Sequence, residues 1–189
     1  MLNYLKFIEI LISLQSIFIS TMIPALIAIP FINKFDNNLE LPITLQIPTI
    51  ILISLIFKGE VVLRALTIYF FLGLFILPIF HEGGSMGYLL TPNFGYLIGI
   101  YPLIKIIDTL HKKSRIYLFD FIKTGIIAII AMHIVGIIYS LIQLLYYKQM
   151  DIFLYNIGKY SLGKIGYHLL MLLPISLIIK PINYIKRKD

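Results

Sequence analysis

Cysteine is absent from the 189-residue chain, which excludes a disulfide framework, thiolate chemistry and cysteine-ligated zinc or iron–sulfur sites. Charge is scarce: Asp, Glu, Lys and Arg together make up 13% of the residues, about half the share of an ordinary soluble domain. Catalytic patterns are missing as well. His81 and Glu82 stand side by side without an HExxH spacing or a second His at ligand distance, so no metal site is read there. No Walker-type GxxxxGK, Ser–His–acid set or pair of facing carboxylates can be assembled, and no enzyme is expected.

What the chain does have is apolar length. Hydrophobic residues reach 59% and the mean hydropathy is +0.93. Too few polar residues remain to cover a surface in water, so lipid is read as the solvent and the chain as an integral membrane protein. The net charge of +7 would suggest nucleic acid only if the basic residues formed a stripe on a soluble surface. They fall instead in short connections between apolar runs, so nucleic acid is not an expected partner.

The runs predict a single membrane domain over residues 1–189, all-α, with six transmembrane helices near 8–33, 42–57, 60–80, 93–108, 117–147 and 162–185. The first run is longer than a signal-peptide core and has no A-x-A-like cleavage site, so it is read as a retained helix. Pro174 should kink the last helix. Strands are not expected, because the runs lack the alternation of a lipid-facing barrel. An even number of spans puts both termini on one side. That side carries Lys6, Lys58, Arg64, Lys105, Lys112, Lys113, Arg115, Lys123, Lys180, Lys186, Arg187 and Lys188, leaving Lys34, Lys148, Lys159 and Lys164 opposite. Both termini are therefore expected in the cytoplasm.

Two stretches of odd chemistry then fall outside. In "LPITLQIPTI", Pro42 and Pro48 bracket Thr44 and Gln46. Gln46 offers a donor and an acceptor suited to an amide-like or urea-like group, although glue between helices is the commoner fate of a membrane Gln. In "FHEGGSMGYLLTPNFGYLIG", Gly83, Gly84 and Gly87 allow close backbone approach and Asn93 is a candidate helix N-cap. The same residues would also make a tight turn between two helices. His133 shares a helical stripe with Gly125, Gly136 and Ser140, which reads as close packing with one hydrogen bond across it. On the first helix Ser16, Ser20 and Ala28 lie on one stripe, flanked by Thr21 and Ala25; small residues at that spacing pack against a neighbour inside the chain or dock a partner subunit.

"LPITLQ" resembles the PxxFTLQ-like start of the second helix in the BioY family, and "GLFILPIFHEGGSMGYLLTPNFGYLIG" resembles that family's longest motif, GxxGLPVF…GGxGxLLGPTGGYLIG. The likeness covers residues 40–100. BioY proteins are biotin-specific S components of energy-coupling-factor (ECF) transporters. The resemblance implies a compact six-helix fold in a prokaryotic cell membrane, biotin as a transported ligand without further cofactor, and three partners: a coupling transmembrane subunit and two cytoplasmic ATPases that hydrolyse ATP. It implies a ligand site drawn from Thr44, Gln46, Phe80, Gly83, Gly84, Gly87, Tyr88, Asn93, Gly95 and Tyr96, with walls from Phe80, Leu89 and Phe94, and docking through Ser16, Ser20, Thr21, Ala25 and Ala28.

The chain departs from the pattern in two places. "TPNFG" replaces GPTGG, and His168 and Met171 stand where the family often has an Asp and, three residues later, a Lys. Either His168 substitutes for that pair or the pocket is rearranged, and Lys164, one turn earlier on the same face, is a candidate cation for a ligand carboxylate. An S component for another vitamin, or a non-transporting membrane subunit, is the competing reading.

Overall fold

Helix α1 (Leu2–Met22) stops where Ile23 meets Pro24, because a residue before proline is pushed out of the helical region. The computed structural model describes residues 2–28, 38–81 and 83–185; the expected first helix out to residue 33 and the basic residues Lys34, Lys186, Arg187 and Lys188 lie partly or wholly outside them. After α1 the chain is extended, as β1 (Pro24–Ala28), and pairs antiparallel with β2 (Asn38–Thr44). This corrects both the first helix expected over 8–33 and the expectation of no strands. A short apolar run has no period that separates helix from strand, and here the strands recover backbone hydrogen bonds lost at Pro24. Leu41 and Ile43, two apart and so on one face, bury against Ala25 and Met171.

The remaining elements are α2 (Gln46–Ile56), α3 (Gly59–Phe75), a 3-10 turn (Met86–Leu90), α4 (Pro92–Ile98), α5 (Ile100–His111), α6 (Leu118–Tyr147), α7 (Met150–Ile157), a π turn (Gly158–Leu162), α8 (Gly163–Leu170), α9 (Leu172–Leu177) and α10 (Ile179–Ile185). The spans expected over 93–108 and 162–185 are thus built from consecutive shorter helices, the first bent at Gly99 and the second broken near Met171 and Ile178. Phe80 was expected in the third helix but lies in the loop beyond it, bridged to Gly83 by two backbone hydrogen bonds of 2.8 and 3.0 Å. Gly83 has φ +140°, a conformation open to glycine and costly for other residues. Residues 150–161, expected as a connection, are helical.

Two described helical segments, 4–22 and 118–147, are long and apolar enough to cross a bilayer unaided. The two faces of α6 are inverted relative to a soluble helix. Ile126, Ile130, Ile134, Ile138, Leu141 and Leu145 are exposed, while Gly125, His133, Gly136 and Ser140 are turned inward and buried. Water would oppose so large an apolar stripe; lipid does not.

Helix α6 packs along α4 and α5, α2 along α5, and α1 along α3. A core of Ile50, Leu55, Leu66, Leu103, Ile104 and Phe121 fills the space between. One end of the bundle is tied by Gly59 N–H donating to Asp108 Oδ1 at 2.7 Å and Ile116 N–H to Asn183 Oδ1 at 2.8 Å. The opposite end is tied by Leu45 N–H donating to Ile23 O at 2.9 Å and Gln143 Nε2 to Leu90 O at 2.8 Å. The loops carrying the two odd stretches therefore meet at one end.

A Cβ added at Gly99 would lie 2.4 Å from the Met132 carbonyl oxygen, a backbone atom that cannot swing away. Gly99→Ala is expected to destabilise the bundle by about 1–3 kcal/mol, read as a lower midpoint of thermal unfolding in detergent; an unchanged midpoint would show that α5 and α6 are not in close contact there.

Candidate functional site

The site grows from one buried phenol. Tyr69, on α3, donates to Ile79 O at 3.0 Å, lies 3.2 Å from Thr21 Oγ1 and accepts from Gln46 Nε2 at 3.4 Å. A single hydroxyl thus ties α1, α2, α3 and the loop after α3. Gln46 is 7% exposed and opens α2 directly after β2, where its own N–H reaches back to Thr44 Oγ1 at 3.4 Å. An amide held this way presents its remaining polar atoms in a defined direction.

Around Gln46 lies an open-mouthed cavity with about 570 Å³ of empty space, open solvent at its mouth included. Thr44, Gln46, Tyr88, Asn93, Tyr96, Lys164 and His168 all line it. Residues 44 and 168 meet because α8 packs against β2. Tyr88 is fixed by donating to His81 O at 2.9 Å and by a tilted contact with the Phe80 ring, their centroids 4.8 Å apart. Asn93 was expected as an N-cap, but the capping position is Thr91 and Asn93 lies inside the first turn of α4, so its side chain is turned to the cavity instead. Tyr96 Oη pairs with Ser161 Oγ at 2.7 Å. Lys164 Nζ lies 5.2 Å from the centre of the Tyr160 ring.

Phe80, Gly83, Gly84, Gly87 and Gly95 do not line the cavity. Their places are behind it. Phe80 presses on Gly73, and a Cβ at Gly84 would fall 2.5 Å from Pro78 Cα, while one at Gly95 would fall 2.3 Å from Tyr139 Cβ. A Cβ added at Gly87 would make only an ordinary contact, 3.7 Å from Ser85 Oγ. These residues shape the loop and let α4 approach α6. Leu89 and Phe94 are also absent from the walls; Phe94 packs on Phe70 and Tyr139. The apolar walls are Ile43, Ile47, Leu97, Ile100, Met132 and Tyr160, which were not singled out in the sequence because nothing distinguishes them from ordinary core residues.

A second feature escaped the sequence. His133 Nε2 lies 3.1 Å from His168 Nδ1, and His133 Nδ1 lies 3.3 Å from Ser161 Oγ. The expected single hydrogen bond across the α6 stripe is two, and both lead to the cavity wall. Of the expected docking residues, Ser20, Thr21 and Ala25 are buried within the chain and Ser16 is partly exposed; Thr21 is spent on Tyr69. The side chain of Ala28 lies outside the described residues. The outward face of α1 is made instead by large side chains, among them Leu11, Phe18 and Ile19.

Replacing Tyr69 by Phe leaves Gln46, Thr21 and the Ile79 carbonyl without their common partner. Tyr69→Phe is expected to cost about 1–3 kcal/mol, seen as a lowered unfolding midpoint; no change would mean that the hydroxyl does not hold these four segments together.

Comparison with known proteins places this geometry. Residues 5–175 match the model of the BioY family. The chain is 31% identical over 136 residues to a protein of Lysinibacillus sphaericus named "Probable biotin transporter BioY", covering 70% of this chain and 67% of that one. Its structure superposes on the crystal structure of the S-component for biotin from an ECF-type ABC transporter with a TM-score of 0.61, covering 94% of this chain and 92% of that one. At 18% identity that likeness is one of fold. With a family match running through nearly all of its length, the chain belongs to the BioY family.

Proposed function

We propose that this protein binds biotin and mediates its uptake as the S component of an ECF transporter, holding the vitamin unchanged in the cavity between β2, α2, α4, α6 and α8. The observation that carries the reading is the lining itself. Neutral donors and acceptors from Thr44, Gln46, Asn93 and Tyr96 share one cavity with a cation, Lys164, and two imidazoles, His81 and His168. Biotin has matching parts: a urea that donates and accepts, an apolar ring and chain, and a carboxylate. A charge-assisted hydrogen bond from Lys164 suits the carboxylate, and Ile47, Leu97, Ile100 and Met132 suit the apolar parts.

The membrane arrangement belongs to the same proposal. Six spans, a single membrane domain and both termini in the cytoplasm of a prokaryotic cell put the cavity on the outer face. The charge distribution along the sequence supports this, and so does the clustering of alternate connections at opposite ends of the bundle. No nucleotide motif occurs in the chain, so release inward would be driven by a coupling transmembrane subunit and two cytoplasmic ATPase subunits. The apolar outer face of α1 offers a surface for the first of these.

Purified protein is expected to bind biotin with a Kd below about 1 μM, equivalent to roughly −8 kcal/mol, measured by equilibrium dialysis with labelled biotin. Gln46→Leu should weaken this at least ~5-fold, since a buried polar contact is worth about 1–3 kcal/mol. Weak biotin binding beside tight binding of another vitamin would overturn the assignment. The orientation has its own test, made simple by the absence of native cysteine. Ser85 and Ser114 are both exposed, at opposite ends of the bundle. Ser85→Cys should react with an impermeant maleimide in intact cells and Ser114→Cys only after permeabilisation; the reverse pattern would invert the topology.

A further inference from the structure

Four side chains form an unbroken polar chain through the cavity wall. Tyr96 Oη lies 2.7 Å from Ser161 Oγ, which lies 3.3 Å from His133 Nδ1. Across the ring, His133 Nε2 lies 3.1 Å from His168 Nδ1. The two ends, Tyr96 and His168, line the same cavity; the middle members, Ser161 and His133, do not. They are 4% and 2% exposed. His168 is itself 7% exposed, and its Nε2 has no hydrogen-bond partner among the described residues. The cavity is the space left to it.

With one proton on each imidazole, such a chain has two polarities. In the first, Tyr96 donates to Ser161, Ser161 donates to His133 Nδ1, and His133 Nε2–H donates to His168 Nδ1. His168 then carries its proton on Nε2 and presents an N–H to the cavity. In the second, every bond is reversed and His168 presents a bare nitrogen there. The tautomer of His168 is therefore set by the group on its Nδ1 side, and that group is His133.

A carboxylate only accepts hydrogen bonds, whereas a primary carboxamide both donates and accepts. A bound acid next to Lys164 can use only the first polarity. A carboxamide can use either. We propose that His133 is a positioning residue for ligand specificity: by donating to His168 Nδ1 it holds His168 as an N–H donor, so that the cavity prefers a ligand ending in a carboxylate to its neutral amide. This rests on the biotin reading above. Lys164 supplies charge at the same wall; His133 supplies direction.

The test compares biotin with biotin carboxamide on purified protein in lipid nanodiscs. His133→Phe removes the donor and should weaken biotin by about 10-fold or more, as expected for a hydrogen bond to a charged group, while the carboxamide changes by less than ~3-fold. His133→Gln places an amide N–H where Nε2–H was and should restore biotin to within ~3-fold of the unaltered protein. His133→Asn, which reaches only toward Ser161, should not restore it. Independently of any variant, the 15N spectrum of His168 in the unaltered protein with biotin bound should show the Nε2–H tautomer. Equal losses for acid and amide in His133→Phe, no rescue by Gln, or an Nδ1–H tautomer in the bound state would each overturn the inference while leaving biotin binding intact. Failure of the unaltered protein to bind biotin would overturn both.

Discussion

The cavity depends on how closely α6 lies against α4 and α5. In lipid there is little hydrophobic force to press helices together, so close packing must come from small residues where backbones meet. Here Gly99 rests on the Met132 carbonyl, Gly95 on Tyr139, and Gly136 on the ring of Tyr96. Each contact leaves no room for a Cβ. Together they set the depth at which Met132 and His133 on α6 stand relative to Asn93 and Tyr96 on α4. A slightly wider separation would leave Tyr96 without the Gly136 surface that holds its ring, and the polar chain through Ser161 would lose its end.

The same solvent explains why the polar side chains that are buried come in paired clusters. A side chain that hydrogen-bonds must find its partner inside the protein when lipid surrounds it. Tyr69 gathers Thr21, Gln46 and Ile79, and His133 gathers Ser161 and His168. Both clusters end at the cavity, where Gln46 and His168 have capacity to spare. Structural satisfaction and ligand recognition are performed by the same residues. The buried partner orients, and the lining residue presents.

Much of this was legible as sequence and some was misassigned. Thr44 and Gln46 stood out because a polar side chain in an apolar stretch is costly without a role, Tyr88, Asn93 and Tyr96 entered through the family's motif, and the fold brings all five to one cavity. The glycines stood out equally, yet Gly84 and Gly95 face backbone and a tyrosine rather than the cavity. A glycine marks a close approach without saying what approaches. Pro24 was visible, but an apolar run after it carries no period, so β1 was read as helix.

By itself the sequence determined the apolar character of the chain and the order of its apolar segments, because these follow from composition and from distances along the chain. It also carried the family's motif, whose residues are contiguous. Only the tertiary structure decided which of those residues turn inward, that Ile43, Met132 and Tyr160 are walls, and that His133 faces His168 across 35 residues of chain. Those facts depend on the rotation of each helix about its axis and on where α8 crosses β2 and α6. Rotation and crossing are set by the fit of many side chains at once, and no local pattern encodes them.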